Sequence, residues 1–213
     1  MNKNPDIISL NKKAWNRAAK KYENDYFPKI SSIFDFFYDQ LPKESLILDL
    51  GSGTGLPYAK MFIKKGFKVL GIDFSSQMIK IAQRNVPDAE FIEISMTELD
   101  YEDKFDGVFS SFTMLLLDSL LFKDVGRRVV RSLKKGGLFY LSLNEPWEQN
   151  ADVDKEVVVE IMGERMYSRA YTKEEVLETF APLGMILLKF NREIQTSKIF
   201  GIEHTTVYIF KKE

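Results

Sequence analysis

The stretch that decides the fold is ILDLGSGTGLP, residues 47–57. It opens with a short apolar run, which is typical of a strand buried on both faces of a parallel sheet. Gly51, Gly53 and Gly55 follow at alternate positions, with only small hydroxyl residues between them. Glycine loses extra conformational entropy on folding, so this spacing indicates a sharp turn where a ligand lies against bare backbone. The helical pattern after the loop predicts a helix N-terminus that favours a carboxylate or phosphate.

A second predicted strand completes a strand–helix–strand unit. FKVLGI, residues 67–72, is apolar and ends in Asp73, 22 residues after Gly51. In βαβ nucleotide folds, an acidic residue at that distance accepts hydrogen bonds from the ribose hydroxyls. The dinucleotide fingerprint G-x-G-x-x-G is not matched, because Leu56 occupies its sixth position. Asp49, inside the first strand, would lie close to an anionic pyrophosphate, whereas it suits a positively charged ligand.

ILDLGSGTG followed by VLGIDFS resembles motifs I and post-I of the class I S-adenosylmethionine (SAM)-dependent methyltransferases, of the small-molecule type. The resemblance implies an α/β fold: a Rossmann-like, seven-stranded, mostly parallel sheet with an antiparallel last strand, helices on both faces and an N-terminal helical cap. It further implies SAM as cofactor, S-adenosylhomocysteine (SAH) as product, and methyl transfer by in-line displacement to an unidentified small-molecule acceptor.

The resemblance also implies a set of cofactor-binding residues. In the family the glycine loop holds the methionine carboxylate and the acid after strand two holds the ribose. The segment WNRAAKKY, residues 15–22, resembles the W-x-x-x-A-x-x-Y segment of the family, whose tyrosine reaches the cofactor. Simple packing also explains its two aromatic residues. The expected residues are Tyr22, Asp49, Gly51, Ser52, Gly53, Gly55, Asp73, Phe74, Ser95, Met96, Ser110 and Phe112. Ser95 departs from the acidic residue usual at its position.

The rest of the chain predicts one methyltransferase domain over residues 1–213 with four parts. Two amphipathic patterns, 7–24 and 30–41, read as helices outside the sheet core. The parts are a helical cap at 1–43, a SAM-binding core at 44–144, a hairpin insertion or lid at 145–171, and a C-terminal helix with closing strands at 172–213.

The hairpin region offers candidates for the acceptor side. Trp147, Tyr167 and Arg169 are candidate substrate-binding residues if the hairpin is a lid, while an edge hairpin would simply pack them on the sheet. The catalytic residue is unknown, since a general base is needed only for a hydroxyl or protonated amine acceptor. His204 and Glu145 are the candidates; His204 alone titrates near neutrality when unperturbed, although a lone histidine is more often structural.

The composition of the chain limits the kinds of partner and metal site that are expected. Thirty basic and thirty-one acidic residues give net charge −1, which argues against nucleic acid or anionic membrane as partner. The absence of cysteine and the presence of one histidine exclude thiolate and multi-histidine metal sites, so no metal is expected. The sequence has no apolar run of transmembrane length, and a cytoplasmic monomer or homodimer is expected.

Two alternatives stay open. A nicotinamide-dependent oxidoreductase would share the βαβ core, but the glycine spacing differs and its Tyr-x-x-x-Lys pair occurs only as Tyr208 and Lys212. On a strand those residues lie about 13 Å apart, too far to cooperate. A non-catalytic SAM-binding regulatory protein would show the same cofactor motifs, because methyl transfer requires no particular catalytic side chain.

Overall fold

A seven-stranded sheet forms the centre of the molecule. The computed structural model describes residues 6–25, 29–146 and 156–213. The strands of the sheet are β1 (Leu46–Leu50), β2 (Lys68–Asp73), β3 (Glu90–Glu93), β4 (Phe105–Ser111), β5 (Leu133–Asn144), β8 (Met185–Ser197) and β9 (Gly201–Lys212). Their order is β3-β2-β1-β4-β5-β9-β8, with the first five parallel and β9 antiparallel to both its neighbours. The predicted mostly parallel, seven-stranded sheet is confirmed.

Six α-helices surround this sheet, and a separate two-stranded hairpin stands apart from it. The helices are α1 (Ile7–Asp25), α2 (Phe34–Asp39), α3 (Tyr58–Lys64), α4 (Ser76–Asn85), α5 (Ser119–Ser132) and α6 (Lys173–Phe180). The hairpin consists of β6 (Glu156–Ile161) and β7 (Glu164–Arg169), as the alternating sequence pattern predicts. Among the described residues, no helix combines the length and apolar character that crossing a bilayer requires.

Helices cover both faces of the sheet. Along β1, Ile47 packs in a cluster with residues of α2, α3 and α4, whereas Leu48 and Leu50 pack in a second cluster with residues of α5 and α6. This alternation follows from the two-residue period of a strand, which sends successive side chains to opposite faces. The sheet is therefore buried on both sides, and polar ligands have access only at its ends.

The first two helices have different places. Helix α1 packs against α4 and β7 and lies over the carboxyl end of the sheet, as a cap should. Helix α2 does not belong to the cap: Phe34 and Phe37 are fully buried and contact Phe109 in the core. It is also shorter than the predicted helix over 30–41. The side chains of Ser31 and Ser32 donate to Glu193 at 2.8 and 3.0 Å, which competes with helix formation there.

Candidate functional site

A large cavity opens at the carboxyl ends of β1, β2 and β4, beneath helix α1 and the β6–β7 hairpin. The empty space between its walls, counted together with the open solvent at its mouth, is about 1270 Å³. In open α/β sheets ligands bind at this end of the strands.

The glycine loop forms one wall of the cavity. The backbone N–H groups of Gly51 and Ser52 both donate to the Ile72 carbonyl oxygen, at 2.8 and 2.9 Å, which ties the loop to β2. Gly51 has φ +76°, and an added Cβ would lie 2.0 Å from a side-chain carbon of Thr113. Gly53 has φ +52°, and an added Cβ would meet nothing within 4 Å. The bare backbone of Gly53 therefore faces open space inside the cavity.

Asp73 organises the tip of this loop from the end of β2. Its Oδ2 accepts from the Gly53 N–H at 3.0 Å and its Oδ1 accepts from the Ser75 N–H at 2.8 Å. Burial raises the pKa of Asp73 to about 6, while these two backbone donors oppose the shift. Each carboxylate oxygen retains a second lone pair for a ligand hydroxyl.

A second carboxylate lies behind the loop. Asp49 is 4% exposed and lines the cavity from β1. Burial, and then the charge of Asp73, raise the pKa of Asp49 to about 7. The Ser52 hydroxyl is also buried and has no hydrogen-bond partner among the described residues. Two buried carboxylates beside this hydroxyl form a set that suits a ligand carrying cationic, carboxylate and hydroxyl groups together, as SAM does.

Apolar side chains enclose the neighbouring part of the cavity. Phe74, Met78, Ile94 and Met96 come from the ends of β2 and β3 and from α4, and Tyr22 of α1 lies among the lining residues. Flat apolar walls of this kind suit the adenine of SAM. Met78 and Ile94 were outside the predicted set.

Two predicted cofactor residues lie elsewhere. Ser95 does not line the cavity: its hydroxyl accepts from the Thr97 N–H at 3.3 Å and caps the short turn that follows β3. Ser110 is fully buried in β4 and also misses the cavity, whereas Ser111 and Phe112 line it. Strand alternation explains this difference, because consecutive residues of β4 point to opposite faces.

The far end of the cavity is formed by the hairpin and by the ends of β5 and β9. Tyr167 of β7 and Phe200, which precedes β9, supply aromatic surface there. Asn144, the last residue of β5, and Glu203 of β9 also line this end, and the Asn144 side-chain amide donates to the Glu203 carboxylate at 2.9 Å. Sequence reasoning missed both of these polar residues.

The other acceptor-side candidates do not reach the cavity. Arg169 donates to Glu175 at 2.8 Å and lies over the Tyr171 ring, 4.3 Å from its centroid, so its contacts are structural. Glu145 forms a two-pronged ion pair with Arg192, at 2.7 and 2.8 Å.

His204 does not line the cavity either, while its neighbour Glu203 does. Alternation along β9 is the signal that separates these two residues, since they point to opposite faces. Trp147 lies outside the described residues.

Comparison with known proteins agrees with this geometry. Residues 47–137 match the family model described as a methyltransferase domain. A putative methyltransferase of Geobacillus sp. (strain WCH70) is 33% identical over 110 residues, covering 49% of this chain and 44% of that protein. A dTDP-3-amino-3,4,6-trideoxy-alpha-D-glucopyranose N,N-dimethyltransferase of Streptomyces venezuelae is 30% identical over 89 residues, 42% of this chain and 37% of that protein. The chain thus spans less than half the length of these curated relatives.

Solved structures extend the likeness to nearly the whole chain. A SAM-dependent methyltransferase of Methanosarcina mazei matches with TM-score 0.73 and 20% identity, covering 88% of this chain and 98% of that one. A 1,6-didemethyltoxoflavin-N1-methyltransferase of Burkholderia thailandensis, with bound SAH, matches with TM-score 0.64 and 18% identity. The match covers 96% of this chain and 80% of that one. These matches show that the chain has the fold of SAM-dependent methyltransferases, and its residues 47–137 match a methyltransferase domain.

Proposed function

We propose that this protein transfers a methyl group from SAM to a small-molecule acceptor. The observation that carries the proposal is one continuous cavity with two chemically different ends. At one end stand the bare glycine loop, Asp49 and Asp73; at the other stand Tyr167 and Glu203. Because the two ends belong to one cavity, a cofactor at the first end and an acceptor at the second would share one space, as a group transfer requires.

The cofactor roles follow from the groups that line the first end. Asp73 would accept hydrogen bonds from the ribose hydroxyls through its remaining lone pairs. The backbone around Gly53 and the unpartnered Ser52 hydroxyl would receive the methionine carboxylate, and Asp49 would face the ammonium group. The side chains of Phe74 and Met96 would enclose the adenine.

When bound, SAM supplies a methyl group already activated on a cationic sulfur. The protein then has to align the acceptor with that methyl group and keep water out, and orientation alone supplies much of the rate of such a step. Helix α1 and the hairpin would exclude water, because together they cover the cavity with Trp15, Met166 and Tyr167. No residue of the first end needs to exchange a proton.

Names of the related proteins support a small acceptor. The Streptomyces venezuelae relative is named for dimethylation of an amino sugar, and the Burkholderia thailandensis structure for methylation of a ring nitrogen. The near-neutral charge of the chain also favours a small molecule over nucleic acid. A cytoplasmic location, a monomeric or dimeric state and the division into cap, core and lid stay predictions.

Calorimetric titration with SAM, SAH and NADH tests the cofactor. Micromolar binding of SAM and SAH without binding of NADH supports the proposal, whereas binding of NADH alone would revive the oxidoreductase alternative. A panel of amines, alcohols and carbon acids is then incubated with SAM, and SAH release is recorded. Tight SAM binding with no SAH release from any member of the panel would favour the regulatory alternative.

A further inference from the structure

The acceptor end of the cavity has a distinctive charge. Three carboxylates line the cavity as a whole: Asp49, Asp73 and Glu203. Among the described lining residues there is no lysine, arginine or histidine. Two arginines of the neighbouring segments are paired with carboxylates, Arg169 with Glu175 and Arg192 with Glu145. Among the described residues, therefore, no cationic side chain lines the cavity to receive a carboxylate or phosphate of an acceptor.

Glu203 is the one acid that the cofactor does not account for. Asp49 lies in β1 and Asp73 ends β2, whereas Glu203 lies on β9, which β4 and β5 separate from β1 in the sheet. It is partly exposed, so its carboxylate is accessible from the cavity.

The position of Glu203 is fixed by two neighbouring strands. Asn144 on β5 pairs in register with Thr205 on β9, which makes Glu203 its diagonal neighbour on the same face. The Asn144 amide donates to Glu203 at 2.9 Å and so orients the carboxylate. Burial also raises the pKa of Glu203, which makes it a better proton acceptor than an exposed glutamate, although the bond from Asn144 acts in the opposite direction.

We infer that the acceptor is an apolar small molecule bearing an amine, and that Glu203 binds this amine, with Asn144 as its positioning residue. The inference rests on the proposed methyl transfer. Tyr167 and Phe200 supply apolar surface for the body of such a molecule. An amine also provides a positive charge, which offsets the cost of partly burying the Glu203 carboxylate.

The chemistry balances without a further reactant. The bound ammonium would first give one proton to the Glu203 carboxylate, which returns it to water, and this frees the nitrogen lone pair. The lone pair would then form the new N–C bond while the C–S bond breaks, the electron pair of that bond would stay on sulfur as SAH, and the product would leave as a methylated ammonium.

Three probes that share a phenyl ring test the charge preference: benzylamine, benzyl alcohol and benzoate. Their binding to the SAH-loaded protein is measured by ligand-observed NMR, and SAH affinity is measured separately by calorimetry. We expect benzylamine to bind at least about tenfold more tightly than benzoate, and Glu203→Gln to remove about tenfold of its affinity, as loss of a charged hydrogen bond would. The affinity of Glu203→Gln for SAH should stay within about twofold of the wild-type value.

Glu145→Gln is the matched control, because Glu145 lies just past the end of β5 but outside the cavity, paired with Arg192. It should leave benzylamine binding unchanged. Glu203→Asp, which keeps the charge on a shorter side chain, should retain part of the amine preference. Benzoate binding as tightly as benzylamine, full benzylamine affinity in Glu203→Gln, or no amine binding by a protein that binds SAH would each overturn the inference. Failure to bind SAH would instead overturn the proposed function and this inference with it.

Discussion

Asn11 and Tyr167 share two hydrogen bonds that fasten the cap helix to the hairpin. The Tyr167 N–H donates to Asn11 Oδ1 at 2.8 Å, and the Asn11 amide donates back to the Tyr167 carbonyl at 3.1 Å. The same amide donates to the Leu116 carbonyl at 3.3 Å, in the turn after β4. Asn11 is fully buried, so one side chain joins three segments that line the cavity.

Replacement of Asn11 should loosen this junction. Asn11→Leu keeps the volume but leaves the buried Tyr167 N–H and two carbonyls without this partner, which costs about 1–3 kcal/mol. We expect that loss in the free energy of unfolding by denaturant, with faster amide exchange along Ile7–Asp25. Arg17→Ala is the control, because its ion pair to Glu164 crosses the same contact but its side chain is 70% exposed. That change should cost less than about 1 kcal/mol. Equal losses in the two variants would contradict a special role for Asn11.

Asp73 should govern the affinity for SAM and SAH alike. Asp73→Ala removes the proposed ribose acceptor and the two backbone bonds that hold the loop tip. We expect both ligands to lose about tenfold to a hundredfold in calorimetric affinity, since the ribose is common to them and a charged hydrogen bond is worth about 1.5–3 kcal/mol.

Glu93→Gln provides the comparison for Asp73. Glu93 ends the adjacent strand β3 and pairs with Lys12 at 2.9 Å, outside the cavity. SAM affinity should stay the same in this variant, with circular dichroism confirming that both variants fold. Wild-type affinity in Asp73→Ala would remove Asp73 from the site.

A comparison of two glycines with positive φ separates the effect of filling the cavity from the effect of backbone strain. Gly53 and Gly66 both have positive φ, and an added Cβ meets nothing within 4 Å at either one. Alanine at either position should cost roughly 1–2 kcal/mol of stability, because L-residues resist this conformation. Only Gly53 lines the cavity, so only Gly53→Ala should abolish SAM binding. Loss of binding in Gly66→Ala as well would mean that strain, and not occlusion, explains the effect.

The strand–loop–strand unit could be read from sequence because its pattern is local. A buried run, alternate glycines and an acid at the end of the next strand each constrain the backbone within a few residues. The burial of α2 could not be read in this way. Its aromatic spacing fits a surface helix equally well, and its length depends on Glu193, which is more than 150 residues away.

The face to which a strand residue points explains most of the differences between the predicted site residues and the residues that line the cavity. Phe109 and Ser110 of β4 are both fully buried, so no alternation marks which face turns to the cavity. Glu203 and His204 are both partly exposed, and the sequence does not indicate which of the two faces the cavity. Asn144 pairs with Thr205, which puts Glu203, two residues earlier, on the same face of β9 as Thr205 and puts His204 on the other face. The place of Ser95 was hard to predict for another reason, because a cap and a ligand contact require the same residue type.

The pair of buried acids should make both stability and cofactor binding depend on pH. The pKa values of Asp49 and Asp73 are raised from 3.8 to about 7 and about 6. A folded state with raised values binds protons more tightly than the unfolded chain, so this stabilisation is complete below about pH 4 and is lost as pH rises through about 6 to 7. In thermal unfolding the ligand-free protein should therefore lose stability between about pH 4 and 7 through these groups.

A cationic ligand reverses the preference of these acids, because it favours their ionised forms. SAM binding near pH 6.5 should release up to about one proton, and its affinity should rise between about pH 5 and 8. SAH keeps the ammonium group that Asp49 would face and lacks only the sulfonium charge, so it should release nearly as many protons as SAM. Calorimetry in two buffers of different ionisation enthalpy counts the protons. Asp49→Asn should abolish most of the release and flatten the pH dependence of SAM affinity. Proton uptake by the wild-type protein, or equal release by Asp49→Asn, would show that Asp49 does not face the positive charge of the cofactor.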